Sequence, residues 1–388
     1  MRIAMFSWES LHSIAVGGVA AHVTELAAAL QRAGNEVHVF TRMGDGQQHY
    51  EVIDGVHYHR CPFDLNPNFI EEMNNMCHSF AYHFFQTENV SGSFDIVHGH
   101  DWMTANALGE IKNARAKKIV FTLHSTEYGR CGNVFYEGQS RDIRNLEWYG
   151  GFLADKIIAT SETIKNEAKW IYNFEDWKIA MIPNGVSLSK FNGFVDPWRG
   201  VKKRFGAGVW DPMCLFVGRM TVQKGADLLL EAIPSVLADF PDAKFFFVGD
   251  GYMRAGLEHR AWELDVQHAC RFLGYIPESE LVSCYKACDV VCIPSRNEPF
   301  GIVALEAWAA GKPIVVTHNG FDYVWHDVNG LKVYDNPGSI AWGIKTIFSD
   351  FERGRWMGSN GRKTAEGFSW DNIAKMTMGV YEEISGDE

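Results

Sequence analysis

The chain has 388 residues, more than one ordinary hydrophobic core accommodates, so we predict two domains of roughly 200 residues each. Its composition, 46% apolar and 22% charged, predicts ordered and well-packed domains. The net charge of −12 argues against nucleic acids and anionic membranes as partners, because both select basic protein surfaces.

The N-terminal apolar run, residues 1–6, is too short for a secretory h-region or a membrane span. We therefore expect a cytoplasmic protein without integral membrane association. The eight cysteines lack paired short spacing and fit reduced, buried thiols better than a disulfide framework. Cys284, Cys288 and Cys292 have a regular spacing that a metal cluster could use, but Cys292 lies in an apolar run typical of a strand. Ligands split between two elements rarely share one face, so no metal site is predicted.

Apolar runs of strand length alternate with helical stretches along the chain. Continuous apolar strands separated by helices predict parallel sheets that helices cover on both faces. The first half contains runs at residues 3–6, 36–41, 96–98, 119–123, 156–159 and 180–182. The second half contains runs at residues 214–217, 245–248, 271–272, 290–293 and 314–316. The fold class predicted from this rhythm is α/β, with one parallel sheet in each of two domains.

A stretch rich in glycine, proline and basic residues separates the two sets of strands. It covers residues 183–186 and 191–208 and shows little periodicity, which is typical of an interdomain connection. We place the boundary near residue 190, which gives domains of residues 1–190 and 191–368. Beyond them, residues 369–388 predict a terminal helix with Ser369 or Asp371 as its N-cap.

Gly17 and Gly18 follow the first predicted strand, and residues 19–32 have apolar side chains at helical spacing. A diglycine lets a phosphate reach the backbone without meeting a Cβ, and a helix N-terminus supplies free amides and a favourable dipole. The pair is therefore a candidate diphosphate site, although an ordinary turn can have the same sequence. No G-x-G-x-x-G follows this strand, which argues against a dinucleotide-dependent oxidoreductase.

Polar residues follow two neighbouring predicted strands of the first domain. His100 and Asp101 come after residues 96–98, and His124 comes after residues 119–123. Ligand-binding residues of open α/β sheets collect at the carboxyl ends of strands, so these three are candidates for sugar contacts. A single histidine at a strand end is more often a structural residue, but two neighbouring strand ends favour the functional interpretation.

A basic pair follows the first strand of the second domain. Arg219 can hold two phosphate oxygens through its planar guanidinium, while Lys224 supplies a point charge five residues later. Both would neutralise a nucleoside diphosphate as it leaves, although a structural salt bridge is an alternative role. No Asp-x-Asp occurs in the sequence, which removes a common cation-chelating motif and makes a metal dispensable.

Two carboxylates, Glu298 and Glu306, flank an aromatic–glycine turn that opens a predicted helix at Ile302. Such a turn offers free amides, here those of Phe300 and Gly301, to an oxygen-rich ligand, while the acids fix its hydroxyls. This pattern suits a sugar nucleotide. The alternative is an amphipathic helix with an exposed glutamate at each end. Earlier in the domain, the backbone at Tyr275 and Ile276 could read the nucleotide base, with Tyr275 stacking on it or packing into the core.

The turn between Glu298 and Glu306, the AWAAGKP run after it and the basic pair closely resemble the signature of retaining family 4 glycosyltransferases, in their glycogen-synthase-like, group 1 branch. The resemblance implies the GT-B fold, two Rossmann-like domains whose parallel sheets face each other across a cleft. The first domain would bind the acceptor and the second the nucleotide sugar, and the helix of residues 369–388 would cross back to the first domain. The implied reaction moves a hexose from a nucleoside-diphosphate sugar to an acceptor hydroxyl. It would need no metal or cofactor and would release the diphosphate from the front face.

The resemblance also implies roles for particular residues. Glu298 would position donor hydroxyls, Glu306 would hold the ribose, His124 would lie near the donor sugar and Asp101 would face the acceptor. The implied catalytic set is Glu298, Arg219, Lys224, His124 and Asp101. The segment of residues 125–148 would shape the acceptor pocket, and the implied acceptor contacts are His100, Asp101, Glu127, Tyr128 and Arg130. Spacing alone leaves open a double displacement with Glu298 or Asp101 as nucleophile.

Two other functions fit the same architecture. A nucleotide-sugar 2-epimerase would use the same residues to bind the diphosphate. A non-catalytic sugar-nucleotide or glycan binding protein would have the same two-domain architecture without the reaction. The intact set of Arg219, Lys224, Glu298 and Glu306 argues against a binding protein that has lost catalysis. The donor base, the hexose, the acceptor and the oligomeric state depend on pocket shape and surface, which motifs do not specify.

Overall fold

The computed structural model describes residues 1–193 and 198–386, which fall into two compact units. The first unit comprises Met1–Gly185 together with Trp370–Glu388, and the second comprises Val186–Ser369. The predicted boundary near residue 190 lies a few residues beyond the first of these divisions. Each unit is an α/β layer structure with its own sheet, as the alternating apolar runs predict.

The first unit contains strands β1 (Arg2–Ser7), β2 (Glu36–Arg42), β3 (Tyr50–Ile53), β4 (Val56–Cys61), β5 (Ile96–His100), β6 (Lys118–Leu123), β7 (Lys156–Ala159) and β8 (Ile179–Met181). Its helices before the second unit are α1 (Gly18–Arg32), α2 (Phe69–Ser91), α3 (Ala105–Arg115), α4 (Glu127–Arg130), α5 (Gln139–Leu153) and α6 (Glu162–Tyr172). The sheet order is β3-β4-β2-β1-β5-β6-β7-β8. Strand β3 runs antiparallel to β4, and the other described pairings are parallel.

The second unit contains strands β9 (Met213–Val217), β10 (Lys244–Val248), β11 (Cys270–Gly274), β12 (Val290–Ile293), β13 (Ile314–Thr317) and β14 (Leu331–Val333). Its helices are α7 (Trp198–Arg204), α8 (Ala226–Leu237), α9 (Arg254–Glu263), α10 (Glu278–Ala287), α11 (Ile302–Ala309), α12 (Pro337–Ser349) and α13 (Phe351–Glu366). The sheet is parallel in the order β11-β10-β9-β12-β13-β14. The chain then returns to the first unit as α14 (Trp370–Ser385).

Both sheets are buried on their two faces. Along β1, Ile3 packs with the helices α1 and α14, whereas Phe6 packs on the opposite face with α2 and α3. Along β9, Phe216 lies in the core beneath α8 and α12, whereas Leu215 lies in the core beneath α10 and α11. Side chains of a strand alternate between faces, so a run that is apolar throughout buries both of them.

Each of the eleven predicted strands overlaps an observed one. Strands β3, β4 and β14 were not predicted from the sequence. The side chains of β3 are largely exposed at the sheet edge, and β4 interleaves histidine and arginine with apolar residues. Strand β14 has only three residues. None of these segments forms an apolar run, so periodicity alone could not identify them.

The predicted interdomain connection, residues 183–186 and 191–208, contains the division between the units at Gly185 and Val186, but residues 191–193 and 198–208 belong to the second unit. Residues 194–197 lie outside the described residues. Phe191, Val201 and Ala207 are buried in the core of the second unit, and α7 forms part of this stretch. Three apolar anchors therefore make the stretch a packed element of that unit, despite its glycine and basic content.

Helix α14 is packed into the first unit beside α1. It begins at Trp370, so Ser369 precedes it directly and Asp371 lies in its first turn, where the carboxylate pairs with Arg32 of α1 at 2.6 Å. A Cβ added at Gly185 would lie 2.5 Å from the Trp370 ring, which shows how closely the two approach. None of the helices within residues 1–193 and 198–386 combines the length and apolarity that crossing a bilayer requires.

Candidate functional site

The buried carboxylate of Glu298 anchors the site in the second unit. Lys224 Nζ lies 2.8 Å from both of its oxygens, and Ser295 Oγ donates to Oε2 at 2.8 Å. Glu298 is 5% exposed, so the ion pair is partly shielded from water. Lys224 follows β9 and Glu298 follows β12, and these strands are parallel neighbours. The structure thus brings together two residues that the sequence assigned to one site.

Two glycines fix this geometry through close backbone contacts. Gly225 has φ +68°, and a Cβ there would lie 2.0 Å from the carbonyl oxygen of Pro294. Gly320 has φ +102°, and a Cβ there would lie 1.8 Å from the carbonyl oxygen of Glu298. Both positions need the left-handed region and have no room for a side chain. The turns that carry Lys224 and Glu298 are therefore packed backbone against backbone.

Arg219 differs from Lys224 in having no internal partner. Its side chain is exposed, and among the described residues its guanidinium makes no hydrogen bond or ion pair. It lies two residues beyond the end of β9, at the same edge of the sheet as Lys224. The sequence analysis gave a structural salt bridge as the alternative role of these two cations. In the described structure Lys224 forms such a salt bridge, and Arg219 does not.

Helix α11 begins directly after Gly301, which has φ +89°. No side chain caps this N-terminus. The Ala304 amide donates to the Gly301 carbonyl oxygen at 2.9 Å, which leaves the amide of Ile302 to solvent or a ligand. Phe300 is buried, and the Tyr323 hydroxyl donates to the carbonyl oxygens of Phe300 and Gly301 at 2.6 Å and 2.9 Å. The predicted turn and helix start are therefore present.

Glu306 lies on α11 and accepts a 2.7 Å hydrogen bond from the Tyr285 hydroxyl. Burial raises the pKa of the Glu306 carboxyl above its usual value, and the Tyr285 bond opposes this shift in pKa. Tyr275 is 88% exposed after β11, which contradicts the alternative of core packing and leaves its ring accessible. Ile276 is buried in the core, so only its backbone could face a nucleotide base.

In the first unit, the predicted diphosphate loop holds a residue that the sequence analysis missed. Glu9 Oε2 accepts hydrogen bonds from the amides of Val16 and Gly17, both at 2.6 Å, at the start of α1. Glu9 is 4% exposed, and burial raises the pKa of its carboxyl. The Gly17 amide is therefore already satisfied by an acid, which counts against it as a free phosphate donor. The signal in the sequence was an acidic residue between the first strand and the diglycine.

Asp101 and His124 meet at the carboxyl ends of β5 and β6. Asp101 Oδ1 accepts the backbone amide of His124 at 2.9 Å. Burial raises the pKa of Asp101 to about 6, an effect that the Arg130 charge and the His124 amide oppose. Burial lowers the pKa of His124 to about 3, so its ring is neutral at neutral pH. The strand-end argument grouped these two residues with His100 as candidate sugar contacts; the structure places the three together, and contact with a sugar stays a prediction.

A cluster of histidines surrounds this point. His100 is fully buried, its Nδ1 lies 3.1 Å from His124 Nε2, and the ring of His22 on α1 lies 4.5 Å from that of His124. His22 Nδ1 donates to Asn184 Oδ1 at 2.6 Å. His98 is held between the hydroxyls of Tyr381 and Thr122. His22 and Asn184 were not predicted, because the elements that carry them are far apart in sequence.

The candidate acceptor residues Glu127 and Arg130 take part in an internal network. Arg130 donates to Ser125 Oγ at 2.7 Å, to Glu127 Oε2 at 3.0 Å and to the fully buried Glu147. The Tyr172 hydroxyl donates to the same Glu147 carboxylate. These contacts explain why the residues are present without invoking a ligand, and their role as acceptor contacts stays a prediction.

Tyr128 borders an aromatic region formed largely by the predicted acceptor segment. Its ring packs 4.8 Å from that of Phe135 and 5.2 Å from that of Trp170. An open groove of about 480 Å³ lies here, and its lining residues are Phe135, Arg144, Asn145, Trp148, Trp170, Ile171 and Tyr172. Flat aromatic faces beside an arginine are suited to ring-shaped polar ligands.

The two units match family models of glycosyltransferases. Residues 16–190 match the model described as Glycosyltransferase Family 4, and residues 202–364 match the model described as Glycosyl transferases group 1. The chain is 38% identical to an uncharacterized glycosyltransferase of Methanocaldococcus jannaschii over 98% of both chains. It is 27% identical to a glycogen synthase of Mycobacterium tuberculosis, over 98% of this chain and 94% of that one.

Solved structures share the fold. A sucrose-phosphate synthase from Thermosynechococcus elongatus superposes with a TM-score of 0.83 at 22% identity over 100% of both chains. Anabaena HepE in complex with UDP and glucose superposes with a TM-score of 0.79 at 17% identity over 99% of both chains. The chain therefore belongs to glycosyltransferase family 4, with the GT-B fold.

Proposed function

We propose that the protein moves a hexose from a nucleoside-diphosphate sugar to an acceptor hydroxyl, with retention of anomeric configuration and without a metal ion. One observation carries this proposal: the buried Glu298 carboxylate is paired with Lys224, while the exposed Arg219 side chain at the same sheet edge has no partner among residues 1–193 and 198–386. A carboxylate for sugar hydroxyls thus lies beside two cations for a diphosphate. We assign donor binding to the second unit and acceptor binding to the first.

Arg219 and Lys224 would stabilise the departing diphosphate. Negative charge builds up on the leaving oxygen as the glycosidic bond breaks, and fixed donors aimed at that charge lower the barrier by roughly 3 kcal/mol each. Arg219 needs no internal bond to be broken before it grips a phosphate. Lys224 would exchange one carboxylate contact for a phosphate oxygen. These separate roles explain why Lys224 is paired with Glu298 in the structure whereas Arg219 is exposed.

Glu298 would bind hydroxyls of the donor sugar, because Ser295 and the Gly320 contact hold its carboxylate and backbone in place. The uncapped first turn of α11 would offer amides to the same sugar or its phosphate. Glu306, oriented by Tyr285, would accept from the ribose hydroxyls. The exposed Tyr275 ring would stack on the base.

The acceptor hydroxyl would attack the anomeric carbon from the face that the diphosphate leaves. The bond from that carbon to the phosphate oxygen breaks, the bond to the acceptor oxygen forms, and the leaving phosphate oxygen takes the acceptor proton. In the first unit, His124 and Asp101 would orient sugar hydroxyls, and the fully buried His100 would hold the His124 ring through the 3.1 Å contact between their nitrogens, which corrects its predicted role as a direct acceptor contact. His100 and His124 suit these roles because burial keeps the pKa of both rings below the usual range and the rings neutral. The aromatic groove beside Tyr128 would hold the acceptor body.

The test begins with metal-free protein and a thermal-shift screen of UDP-, ADP- and GDP-hexoses, since a ligand that prefers the folded state raises the Tm. The stabilising donor is then incubated with sugar acceptors, and the anomeric configuration of the product is read by NMR. We expect retention, full activity in EDTA, and a Glu298→Ala variant whose kcat falls by about 10²–10³-fold. Glu263→Ala, an exposed acid on α9, is the matched control.

Other outcomes point to other functions. A C2 epimer with no sugar release would identify an epimerase, and stabilisation without turnover would identify a binding protein. An inverted product or a requirement for metal would contradict the proposed mechanism. A glycosyl adduct on Glu298 or Asp101 would replace front-face departure by double displacement.

A further inference from the structure

Three histidines from separate elements converge in the first unit. His22 comes from α1, His100 ends β5 and His124 follows β6. One ring nitrogen from each lies within 4.8 Å of those of the other two. Neutral imidazole nitrogens are the commonest protein ligands of divalent transition metals. The convergence is therefore of a kind that could bind a metal.

Two of these nitrogens lack a partner, although they are buried. His22 Nε2 and His100 Nε2 are inaccessible to solvent, and neither makes a hydrogen bond in the described structure. A buried polar atom without a partner is costly, and native structures that contain one commonly satisfy it with a water or an ion. The rings that carry these two atoms have centroids 5.4 Å apart, so one shared partner could satisfy both.

The orientation of His22 points to an electron-pair acceptor as that partner. Asn184 Oδ1 can only accept, so His22 Nδ1 carries the proton in their 2.6 Å hydrogen bond. A neutral His22 ring then presents a bare lone pair at Nε2. Histidines that bind metals usually donate their other N–H to a carbonyl or carboxylate oxygen in this way, which fixes the tautomer.

We propose that His22, His100 and His124 form a three-nitrogen site for a divalent transition-metal ion such as Zn²⁺, with a water as fourth ligand. Zinc–nitrogen bonds of about 2.0–2.1 Å bring two ligand nitrogens of one ion within about 4.2 Å of each other, so binding draws the rings together wherever their nitrogens are farther apart than that. His124 gives up its contact with His100 to bind. The ion has no part in the transfer chemistry proposed above, which is metal-independent.

A cobalt titration tests the site without reference to activity. Metal-free protein is titrated with Co²⁺, whose four-coordinate complexes absorb strongly in the visible range, and with Zn²⁺ in a calorimeter. We expect one equivalent of each, and displacement of Co²⁺ by Zn²⁺. Saturation without the strong visible band, or no saturable binding, would overturn the proposal.

Variants localise the ion. His22→Gln and His100→Gln should remove the cobalt band, while Asn184→Ala should keep the three ligands and weaken binding by about 10–100-fold. His57→Gln alters the other group of potential ligands, which contains Glu36 and His38, and is the matched control. Unchanged affinity in His22→Gln and His100→Gln, or loss of the band in His57→Gln, would refute the assignment. Asn184→Ala keeps the test decisive if the histidine variants do not fold.

Occupation of the site would compete with the sugar contact assigned to His124, which His100 supports, a consequence that rests on the proposed function. Zn²⁺ should then inhibit transfer by the wild type at lower concentration than in Asn184→Ala. A cobalt band without inhibition supports the metal site and removes the sugar role of these histidines. Absence of the band overturns the metal site and leaves the transfer proposal intact.

Discussion

The two units place polar groups at the carboxyl ends of parallel strands in opposite ways. In the second unit an ion pair joins Lys224 to Glu298, and the Arg219 side chain is exposed. In the first unit burial lowers the pKa of His124 to about 3 and raises that of Asp101 to about 6. The second unit therefore presents cations that suit an anion, whereas the first presents a neutral imidazole beside a carboxyl group, which suits hydroxyl groups.

The units also differ in how their sites are assembled. Each motif of the second unit is a short stretch that follows its own strand, and β9 and β12 place the two stretches side by side. In the first unit, His22 bonds Asn184 across 162 positions, and His98 bonds Tyr381 across 283 positions. Assembly from local turns leaves a readable sequence pattern, whereas assembly from distant elements does not. Four predictions test this contrast, beginning with the largest expected effect.

Replacing Arg130 with Met should destabilise the first unit by about 3–5 kcal/mol, because it leaves the buried Glu147 carboxylate without its cation. Chemical denaturation measures the loss. Arg141→Met removes a surface pair with Glu137 and should cost about 1 kcal/mol or less. Equal losses in the two variants would show that the Glu127, Arg130 and Glu147 network is not the buried polar core that we describe.

Arg219→Ala should lower kcat/KM by about 10²–10³-fold and leave the Tm unchanged, because the guanidinium has no partner within the described protein. Lys224→Ala should lower both activity and Tm, since it also leaves Glu298 unpaired. Steady-state kinetics and thermal unfolding separate the two effects. Arg260→Ala, a surface cation on α9, is the control for charge alone. A fall in Tm for Arg219→Ala would contradict the anion-binding role assigned to it.

Asp101→Asn should change how stability depends on pH. Because burial raises the folded pKa of Asp101 to about 6, its neutral form favours folding, and this contribution is lost as the pH rises through that value. The variant should match the wild type near pH 3 and exceed it at pH 7 by up to about 3 kcal/mol. Aspartate already occupies this backbone conformation, with φ +59°, and asparagine has nearly the same shape, so the substitution adds little steric change. Denaturation curves that stay parallel across this range would refute the prediction.

The sequence predicted much of the fold because apolar runs report strands that are buried on both faces, as in β1 and β9. It missed β3 and β4, whose exposure and polar content remove that signal. It also misjudged residues 191–208, where Val201 packs into the core from a stretch dominated by basic and turn-forming residues. In these cases tertiary packing decided the structure, and local composition did not report it.

The candidate site shows the same limit. Strand-end logic grouped His100, Asp101 and His124 as candidate sugar contacts, since ligand-binding residues collect at the carboxyl ends of parallel strands. The same reasoning did not predict that Glu9 would accept a hydrogen bond from the Gly17 amide, because such a contact depends on side-chain geometry. His22 lies on α1, far in sequence from His100 and His124. Only the folded structure shows that it joins their cluster and that its Nε2 atom is buried without a hydrogen-bond partner.

The prediction with the smallest expected effect tests whether the site in the second unit depends on the close backbone contact at Gly225. Gly225 and Gly311 have similar φ values, +68° and +72°, but a Cβ on Gly225 would meet the Pro294 carbonyl oxygen, whereas one on Gly311 would meet nothing within 4 Å. Both alanine variants incur the same left-handed strain, so their difference isolates the clash. We expect Gly225→Ala to cost about 1–2 kcal/mol more than Gly311→Ala, as overpacking does, and to weaken donor binding next to Lys224. Denaturation and donor titration give the two values. Identical stability with unchanged donor affinity would mean that the turns of Lys224 and Glu298 do not need their backbone contact.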